Sequence, residues 1–127
     1  MSVRIYYEDT DFSGLVYHAA YVKFFERGRT EMLRDLGINH HELQAEGLAF
    51  AVRRMQIAFD APARIDDLLT IETRIASLGG ARLVLDQAIS REGAVLVSAE
   101  VEVAAIRIGG GAVRLPKGLR DRLQTRT

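Results

Sequence analysis

The sequence predicts an α+β domain in which one long helix packs against an antiparallel sheet. Apolar residues between Tyr17 and Leu36 recur at spacings of three and four, which is the pattern of a helix with one buried face. In the second half of the chain, apolar and polar residues alternate, most clearly over residues 95–103, which is the pattern of a half-buried strand. Helices and strands that are segregated along the chain are typical of α+β domains.

The predicted helices begin and end at recognisable residues. The long helix is expected from about His18 to Leu36 and to stop at Gly37, because glycine is common directly after a helix end. Asn39 is expected to cap a short second helix over residues 40–45. Pro116 is expected to open a helical turn near the C-terminus.

Loop signals separate the predicted strands. The strands cover residues 3–7, 48–59, 69–75, 83–89 and 95–103, and residues 112–115 are a further candidate. The alternation changes phase at Arg53-Arg54, which predicts a β-bulge, and Gly79-Gly80 predicts a tight hairpin. The expected sheet is therefore a meander of about four or five strands. A sheet of that size has an edge strand through which two copies of the chain can pair.

Composition excludes several classes of function. The 127 residues fit one domain, residues 1–127, and 17 basic residues balance 17 acidic ones, so a uniformly basic nucleic-acid-binding surface is not expected. The absence of cysteine removes disulfides, thiolate metal sites and a cysteine nucleophile. No apolar run approaches the roughly 20 residues that span a bilayer, and the N-terminus lacks the apolar segment of a secretory signal. We therefore expect a cytoplasmic protein without a membrane span.

An acidic turn precedes the long helix. It carries carboxylates at Glu8, Asp9 and Asp11, followed by Ser13 and Gly14. A carboxylate in such a turn can lie beside the free backbone N–H groups at the positive end of a helix. The same residue types also serve as helix N-caps, so the residues alone leave both a catalytic and a structural interpretation open.

The stretch YYEDTDFSGLVYHAAYVKFFERGRTEMLR, from Tyr6 to Arg34, closely resembles the hotdog-fold acyl-CoA thioesterases. The segments PARIDDLL and GGARLVLDQ share this resemblance, which extends from Val3 to Pro116. The chain is most similar to the 4-hydroxybenzoyl-CoA thioesterase family, in its Tol-Pal-associated, YbgC-like subgroup. The resemblance implies an antiparallel sheet wrapped around one long central helix, and assembly into a homodimer or a homotetramer.

The resemblance also implies the reaction, which is hydrolysis of an acyl-CoA to a free carboxylic acid and coenzyme A. Asp11 matches the catalytic aspartate of the family through its place in DTDFSG. It would act as a general base on water or as a nucleophile on the thioester. The backbone N–H of His18 would polarise the thioester carbonyl, and the side chains of His18 and Tyr7 would be supporting groups.

Coenzyme A would be part of the substrate, and neither a cofactor nor a metal is expected. Acyl carrier protein is an alternative carrier of the acyl group. Three basic residues are candidates for binding the coenzyme A phosphates, because phosphate favours arginine and lysine; they are Arg82, Arg114 and Lys117. Each of them is also consistent with an ordinary solvated surface charge.

Two other classes of function remain open at this point. One is a non-catalytic protein that binds acyl-CoA or acyl carrier protein, or acts as a scaffold. The other is a hotdog acyl-thioester dehydratase, although the chain lacks the usual HxxxGD arrangement of those enzymes. Glu26 and Glu31 on the long helix are alternative bases and, more simply, surface charges. The preferred acyl chain is not predicted.

Overall fold

The computed structural model of the chain describes residues 1–126. The strands are β1 (Ser2–Arg4), β2 (Leu48–Phe59), β3 (Leu68–Leu78), β4 (Arg82–Arg91), β5 (Ala94–Arg107) and β6 (Gly110–Ala112). The helices are α1 (His18–Asp35), α2 (His40–Ala45) and α3 (Lys117–Gln124), and a 3-10 turn covers Tyr7–Asp9. Within residues 1–126, no helix combines the length and the apolar character that a membrane crossing requires.

All strands belong to one curled antiparallel sheet with the order β1-β3-β4-β5-β2, and β6 pairs with β5. The predicted α+β class and the antiparallel sheet are confirmed. The predicted meander holds only for β3-β4-β5, because β2 crosses over to pair with β5 and β1 pairs with β3. The expected number of about four or five strands is wrong, because the described chain forms a six-stranded sheet. In the described chain β2 pairs with β5 alone and is an edge strand.

Helix α1 buries one face against the sheet. Its buried residues follow the helical spacing that the sequence predicts: Ala20, Tyr21, Phe24, Phe25, Gly28 and Met32. The approach is closest at Gly28, where an added Cβ atom would lie 2.8 Å from Cγ2 of Ile71 and 3.0 Å from Oγ1 of Thr73. The buried Gln87 side chain on β4 donates hydrogen bonds to the carbonyl of Phe25 and to Oγ1 of Thr73, both at 2.9 Å. Helix and sheet are thus joined by close packing and by a polar contact.

Most of the predicted element boundaries are confirmed. Helix α1 begins at His18 and ends one residue before the predicted Leu36. The side chain of Asn39 caps α2 and accepts a hydrogen bond from the backbone N–H of Glu42 at 2.8 Å. The register of β2 against β5 shifts between Val52 and Arg54, as expected for a bulge. The hairpin at residues 79–82 and the helical turn after residue 116 are present.

Two predicted strands have different limits. The first strand ends at Arg4 and not at residue 7, because the carboxylate of Asp9 accepts a hydrogen bond from the backbone N–H of Tyr6 at 2.9 Å and a 3-10 turn follows. The last strand is Gly110–Ala112 and not residues 112–115. Beyond it the chain crosses to the β3–β4 hairpin, where the N–H of Leu115 donates to the carbonyl of Gly80 at 2.9 Å.

Candidate active site

A cavity of about 420 Å³ lies where the acidic turn, the start of α1 and the end of β2 meet. Its lining residues are Asp11, Leu15, Val16, Tyr17, His18, Tyr21, Phe59, Asp60, Ala61 and Pro62. The structure thus brings Asp11 and His18, two of the residues singled out from the sequence, to one concave surface. Cavities that combine apolar walls with a few polar groups are typical of ligand sites.

The turn that carries Asp11 is a small closed loop. The backbone N–H of Asp11 donates to the carbonyl of Leu15 at 2.9 Å, and the N–H of Gly14 donates to the carbonyl of Asp11 at 3.1 Å. Gly14 has a φ of +83°, a conformation that favours glycine because a Cβ atom would be strained there. An isolated bridge between Thr10 and Val16 closes the base of the loop. These contacts hold the Asp11 backbone in one conformation.

The connection between β2 and β3 supports this loop from the side. The N–H of Val16 donates to the carbonyl of Ala63 at 2.9 Å, and the N–H of Ile65 donates to the carbonyl of Gly14 at 3.1 Å. The same connection is bonded to α1, because the backbone N–H of Ala63 donates to the hydroxyl of Tyr21 at 3.0 Å. The loop, the connection and the helix therefore form one hydrogen-bonded unit.

The carboxylate of Asp11 is exposed and is held by Ser13. Its Oδ1 atom accepts hydrogen bonds from the hydroxyl of Ser13 and, at 2.8 Å, from the backbone N–H of Ser13. The pKa of Asp11 lies below its ordinary value. The main cause is the hydrogen bond from the Ser13 hydroxyl, and the Ser13 N–H and a backbone contact at Leu15 lower the pKa further. Asp11 is therefore an ionised carboxylate over the neutral pH range.

Neither Asp11 nor Ser13 caps the helix. The N-cap of α1 is Tyr17, and no side chain makes a capping hydrogen bond there. The interpretation of Asp11 or Ser13 as a helix cap is therefore wrong. The reason is that Asp11 and Ser13 bond to each other, and neither makes a side-chain hydrogen bond to the N-terminus of the helix.

The N-terminus of α1 presents His18 to the cavity. His18 is the first residue of the helix, so its backbone N–H has no intrahelical acceptor. The helix dipole places partial positive charge at this end and favours an anionic group there. The imidazole ring of His18 packs against the ring of Phe59, with 4.5 Å between centroids and an angle of 30° between planes.

Tyr7 has a different environment. It begins the 3-10 turn, its side chain is 73% exposed, and it is not among the residues that line the cavity. Its backbone carbonyl accepts a hydrogen bond from the hydroxyl of Thr10 at 2.8 Å, which stabilises the approach to the loop. A supporting role for the phenol of Tyr7 stays a prediction.

The three basic residues predicted to bind phosphate lie at the other end of the strands. Arg82 is paired with Ala104 on β5, seven residues from Val97, which is the partner of Phe59. At about 3.3 Å per residue, Arg82 lies roughly 23 Å along the strands from Phe59. Arg114 lies against Gly80 in the same hairpin, and Lys117 begins α3. Within one chain these residues do not meet the cavity, and their role stays a prediction.

Sequence reasoning missed part of the cavity wall. In the sequence, Phe59 ends a predicted strand, residues 60–62 begin the connection that follows it, and Tyr21 lies on the apolar face of the predicted helix. In the structure these residues line the cavity. Pro62 marks a connection, but no spacing in the sequence indicates which turn that connection will contact. Tyr21 differs from Phe24 and Phe25, the other buried aromatic residues of the helix, in its hydroxyl, and this hydroxyl is the signal that the sequence offers.

The curled antiparallel sheet, the long helix packed on it and the cavity at the helix N-terminus define the hotdog fold of the thioesterases. The comparisons agree. The family model of the Thioesterase-like superfamily matches residues 6–123. The chain belongs to this superfamily.

Individual relatives agree with this assignment. The chain is 51% identical over 105 residues to the acyl-CoA thioester hydrolase YbgC of Escherichia coli O6:H1, covering 82% of this chain and 78% of the relative. It is 44% identical over 108 residues to the acyl-CoA thioesterase YbgC of Haemophilus influenzae, covering 84% and 79%. The crystal structure of a probable thioesterase from Bartonella henselae has a TM-score of 0.86 at 52% identity, covering 91% of this chain and 97% of that one.

Proposed function

We propose that this protein is an acyl-CoA thioester hydrolase that converts an acyl-CoA to a free carboxylic acid and coenzyme A. The observation that carries the proposal is the shared cavity, which has the ionised carboxylate of Asp11 and the uncapped helix N-terminus at His18 on its walls. The names of the YbgC relatives, acyl-CoA thioester hydrolase and acyl-CoA thioesterase, support the same reaction.

In the proposed reaction the thioester carbonyl oxygen binds at the N-terminus of α1. The backbone N–H of His18 stabilises the negative charge that develops on this oxygen. Asp11 removes a proton from a water molecule that attacks the carbonyl carbon, or attacks this carbon itself to form a mixed anhydride that water then hydrolyses. In both routes the carbon–sulfur bond breaks and the coenzyme A thiolate takes up a proton. The imidazole of His18 and the phenol of Tyr7 would orient the water or the acyl group.

We further propose that the protein is a homodimer formed through the free edge of β2, with a homotetramer as a larger assembly. Val52 in the first half of β2 and Phe59 at its end are 49% and 44% exposed, and Phe12 beside Asp11 is fully exposed. Large apolar side chains exposed next to a polar cavity are typical of surfaces covered by a partner. We also propose that residues 1–127 form one domain and that the protein acts in the cytoplasm.

A two-fold pairing of β2 edges would also give the basic residues a role. Antiparallel pairing brings the start of β2 in one chain beside the end of β2 in the other, where the cavity lies. Arg82, Arg114 and Lys117 lie toward the start of β2 and would then approach the coenzyme A bound at the cavity of the partner chain. This arrangement would satisfy phosphates with arginine and lysine donors.

The test is release of free thiol from a panel of acyl-CoA esters by the wild type and by Asp11→Asn. We expect the variant to keep its fold and to lose at least about 10²-fold in turnover, because it removes the base or nucleophile. Asp66→Asn is the matched control, since Asp66 is an exposed carboxylate that does not line the cavity. Turnover by Asp11→Asn close to that of the wild type would refute the assignment of Asp11.

Other outcomes of this panel separate the alternative functions. Hydrolysis of acyl carrier protein thioesters without hydrolysis of acyl-CoA would show that the protein is a thioesterase whose acyl carrier is acyl carrier protein. Binding of acyl-CoA without thiol release would indicate a binding or scaffold protein. Hydration of an enoyl-CoA would indicate a dehydratase.

A further inference from the structure

Tyr21 occupies an unusual position for a residue of the helix core. Its ring is buried, with 2% exposure, and lies 5.8 Å from the ring of Phe59, measured between centroids. Tyr21 also lines the candidate active-site cavity. Its hydroxyl accepts a hydrogen bond from the backbone N–H of Ala63 at 3.0 Å, and both residues are buried. The hydroxyl thus joins α1 to the connection between β2 and β3.

This hydrogen bond is the first in a series that leads to Asp11. The carbonyl of Ala63 accepts from the N–H of Val16 at 2.9 Å. Val16 follows Leu15, whose carbonyl accepts from the N–H of Asp11 at 2.9 Å. The steps after Tyr21 are backbone hydrogen bonds and one peptide link, so a displacement of Ala63 would move the loop that carries Asp11.

The same helix carries the other half of the site. Tyr21 follows His18 by three residues, so its hydroxyl and the backbone N–H of His18 belong to one rigid turn of α1. The carboxylate of Asp11 stands on the loop that leads through Val16 and Tyr17 into the helix. A second attachment of this loop, from the side, runs through Ala63 to Tyr21 on α1. The Tyr21–Ala63 contact therefore contributes, beside the chain itself, to the distance between the Asp11 carboxylate and the N–H of His18.

We propose that Tyr21 is a positioning residue, whose hydroxyl fixes the loop of Asp11 relative to the N–H of His18 through the backbone of Ala63. The proposal rests on the proposed function, because positioning has consequences for turnover only if Asp11 and His18 act on the thioester.

The ionisation state of Tyr21 supports this role. Burial is the main cause of a pKa of Tyr21 above its ordinary value, and the charge of Asp67 adds to it. The phenol therefore stays neutral throughout the working pH range of an enzyme. Tyr21 therefore acts through the position of its hydroxyl and not as a charged group.

The test removes the hydroxyl alone, in Tyr21→Phe, which keeps the ring and its packing. We expect kcat to fall about 10-fold or more, since small displacements of catalytic groups have large effects on rate. KM is expected to stay within about twofold, because no group that binds the substrate is removed. Amide hydrogen exchange at Val16 and Ala63 is expected to become faster, since both N–H groups belong to the interrupted series.

Thr73→Val is the matched control. This variant also removes a partly buried hydroxyl that accepts a hydrogen bond, in this case from the side chain of Gln87 at 2.9 Å. Thr73 lies on β3 and makes no hydrogen bond to the Asp11 loop. We expect a comparable loss of thermal stability, an unchanged kcat and unchanged hydrogen exchange at Val16.

The proposal is wrong if Tyr21→Phe keeps kcat within twofold of the wild type, or if its exchange at Val16 matches that of Thr73→Val. The hydrogen-exchange measurement requires no turnover, so it tests the Tyr21 proposal even if the protein hydrolyses none of the esters. Failure of the proposed function would appear separately, as full turnover by Asp11→Asn.

Discussion

Ser13 lowers the pKa of Asp11 through two hydrogen bonds. The Ser13 side chain and backbone both donate to Oδ1 of Asp11, and these bonds stabilise the ionised form of the carboxylate. A carboxylate with a lowered pKa is a weaker base than an ordinary one, but it stays fully deprotonated in mildly acidic solution. The loop therefore favours a constant negative charge at the site over strong basicity. In the proposed function, both direct attack and activation of water require the ionised form of Asp11, whereas the lowered basicity makes proton abstraction from water less favourable.

Replacement of Ser13 by alanine should shift the acidic limb of the pH–rate profile. The pKa of Asp11 is lowered in the folded protein, so activity that depends on its ionised form is lost only as the pH falls through that lowered value. Loss of the hydroxyl raises the pKa, and the acidic limb of kcat/KM moves to higher pH while the rate at neutral pH changes little. The profile of kcat/KM for Ser13→Ala measures this directly.

Ser77→Ala, at an exposed serine near the end of β3, is the control and should leave the profile unchanged. An acidic limb at the same pH in Ser13→Ala and in the wild type would contradict the assigned cause of the shift.

At the scale of elements, the contact between α1 and the sheet decides where the helix N-terminus lies. Gly28 allows the helix to approach Ile71 and Thr73 more closely than any larger residue would. Gln87 adds hydrogen bonds on both sides of the contact, and the guanidinium of Arg29 donates to its Oε1 atom at 3.1 Å. The buried polar group is thus fully paired, which is the condition under which such groups stabilise a fold.

A larger residue at Gly28 should weaken this contact. Gly28→Val introduces carbon atoms where a single Cβ would already lie 2.8 Å from Ile71, so we expect the free energy of unfolding to fall by about 1–3 kcal/mol. Equilibrium unfolding in urea provides the measurement.

The control for Gly28 is Lys23→Val, which places the same residue on the exposed face of α1. It should lower the free energy of unfolding by about 0.7 kcal/mol or less, the range of ordinary helix propensities. Equal losses in the two variants would show that the close approach has no special importance.

At the scale of the whole molecule, the chain has an edge that its own strands do not cover. Strand β2 has twelve residues, and in the described chain it pairs only with β5. Long uncovered edges are sites of strand pairing between chains. Charged residues at the bulge, Arg53 and Arg54, interrupt this edge, whereas Val52 and Phe59 on either side of them are exposed and apolar.

A charge at the edge should break the proposed dimer. We expect the wild type to have twice the mass of the 14.1 kDa chain in light scattering, and Val52→Glu to shift toward the mass of one chain, because a charge buried in an interface without a partner is costly.

Val95→Glu is the matched control for the edge. Val95 is 50% exposed, against 49% for Val52, but it lies next to the β4–β5 turn, and the strand that carries it lies inside the sheet. We expect this variant to stay a dimer. A wild type with the mass of one chain would refute the edge-pairing proposal itself.

Local patterns in the sequence were sufficient for most of the elements. Helical spacing located α1, Asn39 located α2, and the phase change at residues 53–54 located the bulge. These features depend on contacts between residues close in sequence, such as caps, turns and the alternation of a strand. The limits of β1 and β6 were wrong, because these three-residue strands end where side chains or distant segments take over the backbone hydrogen bonds.

The sequence by itself determined the α+β class, the order of most elements, the family resemblance, and Asp11 and His18 as candidates for one site. Only the tertiary structure decided that residues 59–62 line that site, and that the hydroxyl of Tyr21 accepts a hydrogen bond from the N–H of Ala63. It also decided that Ser13 bonds to Asp11 and that neither of them caps the helix. The physical reason is that helices and turns are encoded by neighbouring residues, whereas the wall of a cavity is assembled from segments that meet only after the sheet has curled and the helix has packed.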